Sequence, residues 1–303
     1  MSEQKDIFLK KSEEIAFDLK HRSIIKFNMS KYDAAVDRGM KRYSNLDLAK
    51  TRASFVKSQA INHLHDHLLQ FEKNITAHGA SVVWAENTDE AIAAVKKIMI
   101  ENNSKTVVKS KSMTTEEIDL NDHLEEIGVE SLETDLGEYI VQLAGEKPYH
   151  IVTPCMHKSR HDIAELFTEK FDTPEGSAPE YLTAWVRQKL RAKFTTADVG
   201  ITGANFLVAD VGGICLTENE GNALMSVSFP KIHIVIAGIE KVIPRMQDLG
   251  LMWPILAAHG TGQQISVYNS LITGPKKSSE VDGPEKMIVI LLDIKRSELY
   301  QND

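Results

Sequence analysis

Cysteine is nearly missing from this sequence: Cys155 and Cys215 are the only two in 303 residues, far apart and in no C-x-x-C pair. Neither a disulfide framework nor a self-contained iron–sulfur site can be written from them, and both are expected to be buried thiols in a reducing compartment. Long apolar runs are missing too. The longest, 232–239 and 287–292, are too short to cross a bilayer, and residues 1–11 are charged where a secretory signal needs an apolar stretch. A cytoplasmic location without membrane insertion follows as the expectation. Positive charge is not in excess, since 35 Lys and Arg face 43 Asp and Glu for a formal charge of -8. That balance disfavours a nucleic-acid partner, because phosphate binding needs concentrated Lys and Arg, and leaves room only for small anions at local sites. Gly260-Thr261-Gly262 lacks the third glycine and the preceding strand of a dinucleotide fingerprint, and no Walker motif occurs, so no nicotinamide or flavin site is expected. Of His63, His65 and His67, only His63 and His67 share a face if the segment is helical, and no carboxylate partner completes a metal set. A solvated helix surface is the better reading there.

What is present is ordinary globular material, 42% hydrophobic and 26% charged, in a chain long enough for one large α/β unit with a helical attachment. Residues 1–78 read as a helical region: Ile7, Ile15 and Leu19 recur at helical spacing, and 46–75 runs without Pro or Gly. From Ala80 the rhythm changes to short β-branched runs (81–85, 106–109, 129–133) alternating with helical patterns (88–102, 114–127), the signature of a parallel sheet with crossover helices. A strand is expected at 149–153 and helices at 160–171 and 179–194. Strands at 205–209, 214–217, 224–229 and 232–237 are separated by tight polar turns, which favours antiparallel neighbours grafted onto the parallel sheet. Residues 239–258 read as helical despite Pro244 and Pro254, and 265–272 and 287–292 as extended. The expected fold is therefore α/β, a mixed sheet flanked by helices, with 79–303 as the α/β domain.

Three segments could carry chemistry. Residues 107–113 run from a strand into a helix, where open amides with Lys109 or Lys111, beside Ser110 and Ser112, suit a carboxylate or phosphate. A capping box of Thr114 and Glu117 explains the same residues equally well. Glu138 and Gln142 would stack on one helical face after Asp135, and general acid–base work could use that carboxyl, although a cap of Asp135 with Glu138 is the favoured reading. The densest polar stretch, 198–222, offers Asn205, Glu218, Glu220 and Asn222 among glycines that let backbone approach a ligand, or that simply serve hairpin turns. His259, at a helix end, is a candidate proton acceptor or a complement to the helix dipole.

Taken together, Lys109-Ser-Lys-Ser-Met113, Glu133-Thr-Asp-Leu-Gly-Glu-Tyr-Ile140, Gly200-Ile-Thr-Gly-Ala-Asn-Phe206, Asn219-Glu-Gly-Asn222, Gly238-Ile-Glu-Lys241 and Asp282-Gly-Pro-Glu285 resemble, in order and spacing, the lactate-utilisation protein B family with its LUD domain. Two positions depart from the family pattern: Val211, where Thr is usual, and Ile294-Lys295, where an Asn-Gly turn is common. The resemblance implies a core of the NagB/RpiA/CoA-transferase-like type and a part in oxidising L-lactate to pyruvate alongside other lactate-utilisation subunits. It also implies two [4Fe-4S] clusters in a downstream ferredoxin-like segment, none being expected in this chain. On that reading Lys109, Ser110, Ser112, Asn205 and Asn222 hold a small carboxylate, while Glu220 or His259 accepts a proton. Competing classes are a CoA transferase with a Glu nucleophile, to which Glu218-Asn219 bears a loose likeness, a sugar-phosphate isomerase, and a noncatalytic interaction module.

Overall fold

The computed structural model describes residues 2–301. Four helices open the chain: α1 (Ser2–Phe17), α2 (Leu19–Met40), α3 (Leu46–Asn62) and α4 (Leu64–Ala77). Asp18 and Asn45 start α2 and α3 by accepting the amides of His21 and Leu48. The helix read over 46–75 is thus two helices, because His63 leaves helical dihedrals at φ -120° and ψ 34°.

Next come β1 (Ser81–Ala85), α5 (Thr88–Glu101), β2 (Thr106–Lys109), α6 (Met113–Glu117), α7 (Leu120–Glu125), β3 (Glu130–Glu133) and α8 (Leu136–Ala144), in the alternation that the periodicity predicts. The helix expected at 114–127 splits where Asp119 turns left-handed, with φ 46°. The strand expected at 149–153 is a turn instead, closed by the Tyr149 amide on the Pro154 carbonyl. Beyond it lie α9 (Arg160–Phe171), α10 (Pro179–Thr196), β4 (Val199–Thr202), β5 (Phe206–Val208) and β6 (Gly213–Glu218). Then follow α11 (Asn222–Ser228), β7 (Ile232–Gly238), β8 (Val242–Ile243), α12 (Leu249–Thr261), β9 (Tyr268–Ile272), β10 (Lys286–Leu292) and α13 (Arg296–Gln301). Two further expectations need correction here. Residues 224–228 lie in helix α11 rather than in the strand expected over 224–229, and 239–248 hold two single 3-10 turns around β8, so that α12 begins only at Leu249 and carries Pro254 within it.

Both strand senses occur, as expected, but in separate sheets. Six strands in the order β1-β10-β7-β4-β2-β3 are parallel throughout, and a second sheet, β8-β5-β6-β9, contains the antiparallel pairs β5 with β6 and β6 with β9. Alternate residues of the central strands feed opposite cores, as the period of two requires. Val235, Ala237, Val289 and Leu291 pack against Leu68, Phe71 and Ile75 of α4. On the other face Ile234, Ile236 and Ile290 meet Ile92, Val95 and Met99 of α5. Helix α11 lies so close on β4 that a Cβ at Gly200 would stand 1.7 Å from the Ser226 carbonyl oxygen, which only glycine allows. That contact fixes the start of α11 beside the strand ends. Among the described residues no helix is long and apolar enough to cross a membrane.

Candidate functional site

The carboxyl ends of β2 and β4 open toward the second sheet, and a cleft of about 600 Å³ lies there, a size ordinary for a small-molecule site. Ser110, Lys111 and Ser112 leave β2, Gly203 and Asn205 leave β4, and Glu218, Glu220 and Asn222 come from the end of β6 and the start of α11. Lys57 and Ile61 of α3, Glu240 and Lys241 after β7, and Ala257 and Thr261 of α12 complete the walls. Gly203 matters for a local reason: a Cβ there would fall 2.5 Å from the Ser112 hydroxyl oxygen, so glycine lets that hydroxyl lie against the β4 exit.

Five residues expected at the site from sequence therefore share one cleft: Ser110, Ser112, Asn205, Glu220 and Asn222. Asn205 is held by accepting the Thr217 amide at 2.8 Å, and Asn222 donates to the Thr134 hydroxyl at 3.3 Å. Glu220 is exposed at the mouth, where among the described residues its carboxylate receives only the neighbouring Asn219 amide. Glu218 is committed elsewhere. Its two carboxylate oxygens accept the amides of Ala223 and Leu224 at 2.7 and 2.8 Å, which starts α11. Burial nonetheless pushes its carboxyl above the usual range, against the lowering effect of those two amides.

Two expected site residues do not line the cleft. His259 faces elsewhere on α12: its Nδ1 lies 2.9 Å from the Ile255 carbonyl oxygen, and its own carbonyl accepts from Tyr32 of α2. Lys109 is wholly buried behind the cleft wall. Its ammonium donates to the Thr115 hydroxyl at 2.9 Å and pairs with Glu116 at 2.9 Å and Glu133 at 2.7 Å. Burial alone would lower its pKa, but the two carboxylates outweigh that and hold it above the ordinary lysine value. The lysine that does reach the cleft is Lys111, paired with Asp135 at 3.1 Å.

Lys57 was not among the sequence candidates. Burial lowers its pKa to about 8, with Glu240 opposing, while the amine donates to the carbonyls of Glu240 and Val242. A signal was present: Lys57 stands four residues from Ala53 and next to Val56, which both pack on a core, so it sits at the edge of the apolar face of α3. Asp135 caps α8 by accepting the amides of Gly137 and Glu138, as the cap reading supposed. Glu138 does not complete a capping box. Its carboxyl is nearly buried and forms no hydrogen bond or ion pair among the described residues.

The LUD domain family model matches residues 68–292. This chain belongs to the LUD domain family. The matched region starts within α4 and ends with β10, so it contains both sheets, while Lys57 and Ile61 reach the LUD cleft from outside it. Lactate utilization protein B of Bacillus pumilus is 42% identical over 245 residues, covering 80% of this chain and 52% of that protein. Lactate utilization protein B of Shouchella clausii is 38% identical over 260 residues, covering 86% and 55%. A protein of Escherichia coli named "Uncharacterized electron transport protein YkgF" is 37% identical over 254 residues, covering 84% and 54%. The chain thus spans about half the length of these curated relatives. A crystal structure of a DUF162 family protein from Deinococcus radiodurans aligns over 76% of this chain and 98% of that one, at 16% identity and a TM-score of 0.43.

Proposed function

We propose that this LUD domain binds a small 2-hydroxy or 2-oxo carboxylate and serves lactate utilisation, as the substrate-holding part of an assembly that oxidises L-lactate to pyruvate. One observation carries the reading. Strand-end hydroxyls, the Lys111 ammonium, two asparagines and the exposed Glu220 carboxylate meet in a single cleft, and the relatives that share this chain's sequence are named for lactate utilisation. Lys111 and the hydroxyls of Ser110 and Ser112 offer charge and donors to a carboxylate, and Asn205 and Asn222 fix its orientation. Glu220, free of a strong partner, is placed to accept the proton of a substrate hydroxyl.

Oxidation also removes two electrons. Cys215 is buried in β6 and Cys155 sits against α8 and α9, in different cores. Burial pushes the Cys215 thiol up to about 12 and raises Cys155 as well. Two separated thiols held in the protonated form do not fit the four thiolates that an iron–sulfur cluster needs. Electron removal is therefore assigned to clusters on another segment and to other lactate-utilisation subunits. The transferase reading requires a free carboxylate nucleophile, and Glu218 spends both oxygens on the start of α11.

Calorimetric titration of the chain with L-lactate, pyruvate, an acyl-CoA and a sugar phosphate tests this. Weak binding of lactate or pyruvate that is lost in Lys111→Met is expected, with no sustained pyruvate formation when an artificial electron acceptor is supplied. Preferential acyl-CoA binding would support a transferase instead, and binding of none of the four would leave an interaction module.

A further inference from the structure

We propose that the cleft holds 2-hydroxy acids whose apolar side chain is longer than the methyl group of lactate, with that side chain seated in a subsite formed by Ile61, Phe206, Leu256 and Ala257. This rests on the carboxylate reading above and adds to it the class of side chain. Size is the first observation. Lactate has six non-hydrogen atoms, and even at the volume of one liquid water molecule for each it would occupy roughly 180 Å³. The cleft measures about 600 Å³, so lactate held by Lys111 leaves most of it unfilled.

The walls of the remainder decide what can fill it. The faces of α3 and α12 that cover the second sheet run past it into the cleft. On α3, Ala53 packs with Phe206 on the core that contains Val208, Cys215 and Ile243, and Lys57 and Ile61 follow at four-residue steps. On α12, Leu249 and Met252 belong to the same core, and Leu256 lies one turn further on. The two helices pack on each other. Ile61, Phe206 and Leu256 are only part-buried, and the space that uncovers them is the cleft. The charged groups on this side are engaged elsewhere: the Lys57 amine donates to the carbonyls of Glu240 and Val242, and the Glu240 carboxylate pairs with Lys241 and Arg296. Walls of this kind offer water few hydrogen-bond partners, whereas a hydrocarbon chain needs none and gains by leaving water.

The polar and apolar halves join at the start of β5, where Asn205, assigned above to orienting the carboxylate, is followed directly by Phe206. A 2-hydroxy acid carries its carboxylate, hydroxyl and side chain on one carbon. Held by its polar groups, it sends the side chain either to the open mouth or to the apolar walls, and burial favours the walls. Ile61 lies outside the region 68–292 that matches the LUD family, so part of this subsite is supplied by the N-terminal helical region.

Calorimetric titration of the full chain with L-lactate, L-2-hydroxybutanoate, L-2-hydroxyhexanoate and hexanoate decides the matter. Each buried methylene strengthens binding about fourfold, so 2-hydroxyhexanoate, three methylenes longer than lactate, is expected to bind on the order of 50-fold more tightly, with 2-hydroxybutanoate between them. Ile61→Gln puts an amide into the subsite and should lower that ratio severalfold; if the variant does not fold, the wild-type series is sufficient alone. Equal affinity for lactate and 2-hydroxyhexanoate, or weaker binding of the longer acid, overturns the inference and leaves the proposed function standing. An unchanged ratio in folded Ile61→Gln overturns the seating of the side chain at α3. Hexanoate binding as tightly as its 2-hydroxy derivative keeps the apolar subsite and removes the hydroxy-acid function, and binding of none of the four overturns both.

Discussion

Lys109 shows how a residue's role depends on which side of a strand end it takes. A continued strand would send both lysines of the motif to one face, but β2 ends at Lys109: Lys111, beyond the strand, reaches the cleft while Lys109 enters a buried pair with Glu133. Lys109→Met leaves two carboxylates facing a low-dielectric region without their cation, so a loss of about 3–5 kcal/mol in unfolding free energy is expected by denaturant titration. Glu138 gives a prediction of unusual sign for a carboxylate. Its folded pKa of about 8 lies above the ordinary value of 4.5, so the folded state holds a proton that the unfolded chain releases between those values. The stabilisation is fully present below pH 4.5 and disappears as pH rises through 8. Glu138→Gln carries no ionisable proton, and should flatten the stability profile across that window. The expected gain over wild type at alkaline pH is on the order of 3 kcal/mol, measured by urea melts at a series of pH values.

Among the elements, the departures from the sequence reading have nameable causes. The apolar spacing of 224–229 fits a strand or a helix, and the choice is made by Glu218, whose carboxylate accepts the first amides of α11 from the end of the preceding strand. The close fit of α11 on Gly200 then leaves space for nothing bulkier. The turn from β10 into α13 carries strain of a different kind. Ile294 and Lys295 have φ 43° and 67°, and the Arg296 amide bonds back to the Asp293 carbonyl at 3.0 Å, the geometry for which Asn-Gly is suited. Lys295→Gly removes a Cβ from a left-handed position and should raise stability by roughly 0.5 kcal/mol after the entropy of glycine is counted, read as a higher melting temperature. Ile294→Asn should gain less or nothing, because Ile294 also packs on the α5 core.

At the scale of the whole molecule, the N-terminal helices contribute unequally. Most of α1 is exposed, whereas α3 supplies Ala60 to the central core and Lys57 and Ile61 to the cleft. Removal of residues 1–17 should leave folding and ligand affinity nearly unchanged, while removal of 1–62 should lower the melting temperature and weaken binding, as calorimetry on the two shortened chains would show. Helix α4 cannot be cut, since Leu68, Phe71 and Ile75 lie under the parallel sheet. The alternation of parallel strands and crossover helices was legible in the sequence because periods of 2 and 3.6 residues are local properties, written wherever one face must be buried. For the same reason the strand-exit segments at 109–112 and 202–205 and the turn at 218–222 could be named as site candidates, since polar and glycine residues that interrupt apolar runs stand out within a few positions. Which of the candidates the cleft would exclude, and which residue it would add, was not legible. The gathering of the antiparallel strands into a second sheet, the burial of Lys109, the exclusion of His259 and the arrival of Lys57 all depend on segments far apart in the chain. Their cause is the dense packing of distant elements against each other, which sets solvent access and hydrogen-bond supply at each side chain and leaves no trace in local spacing.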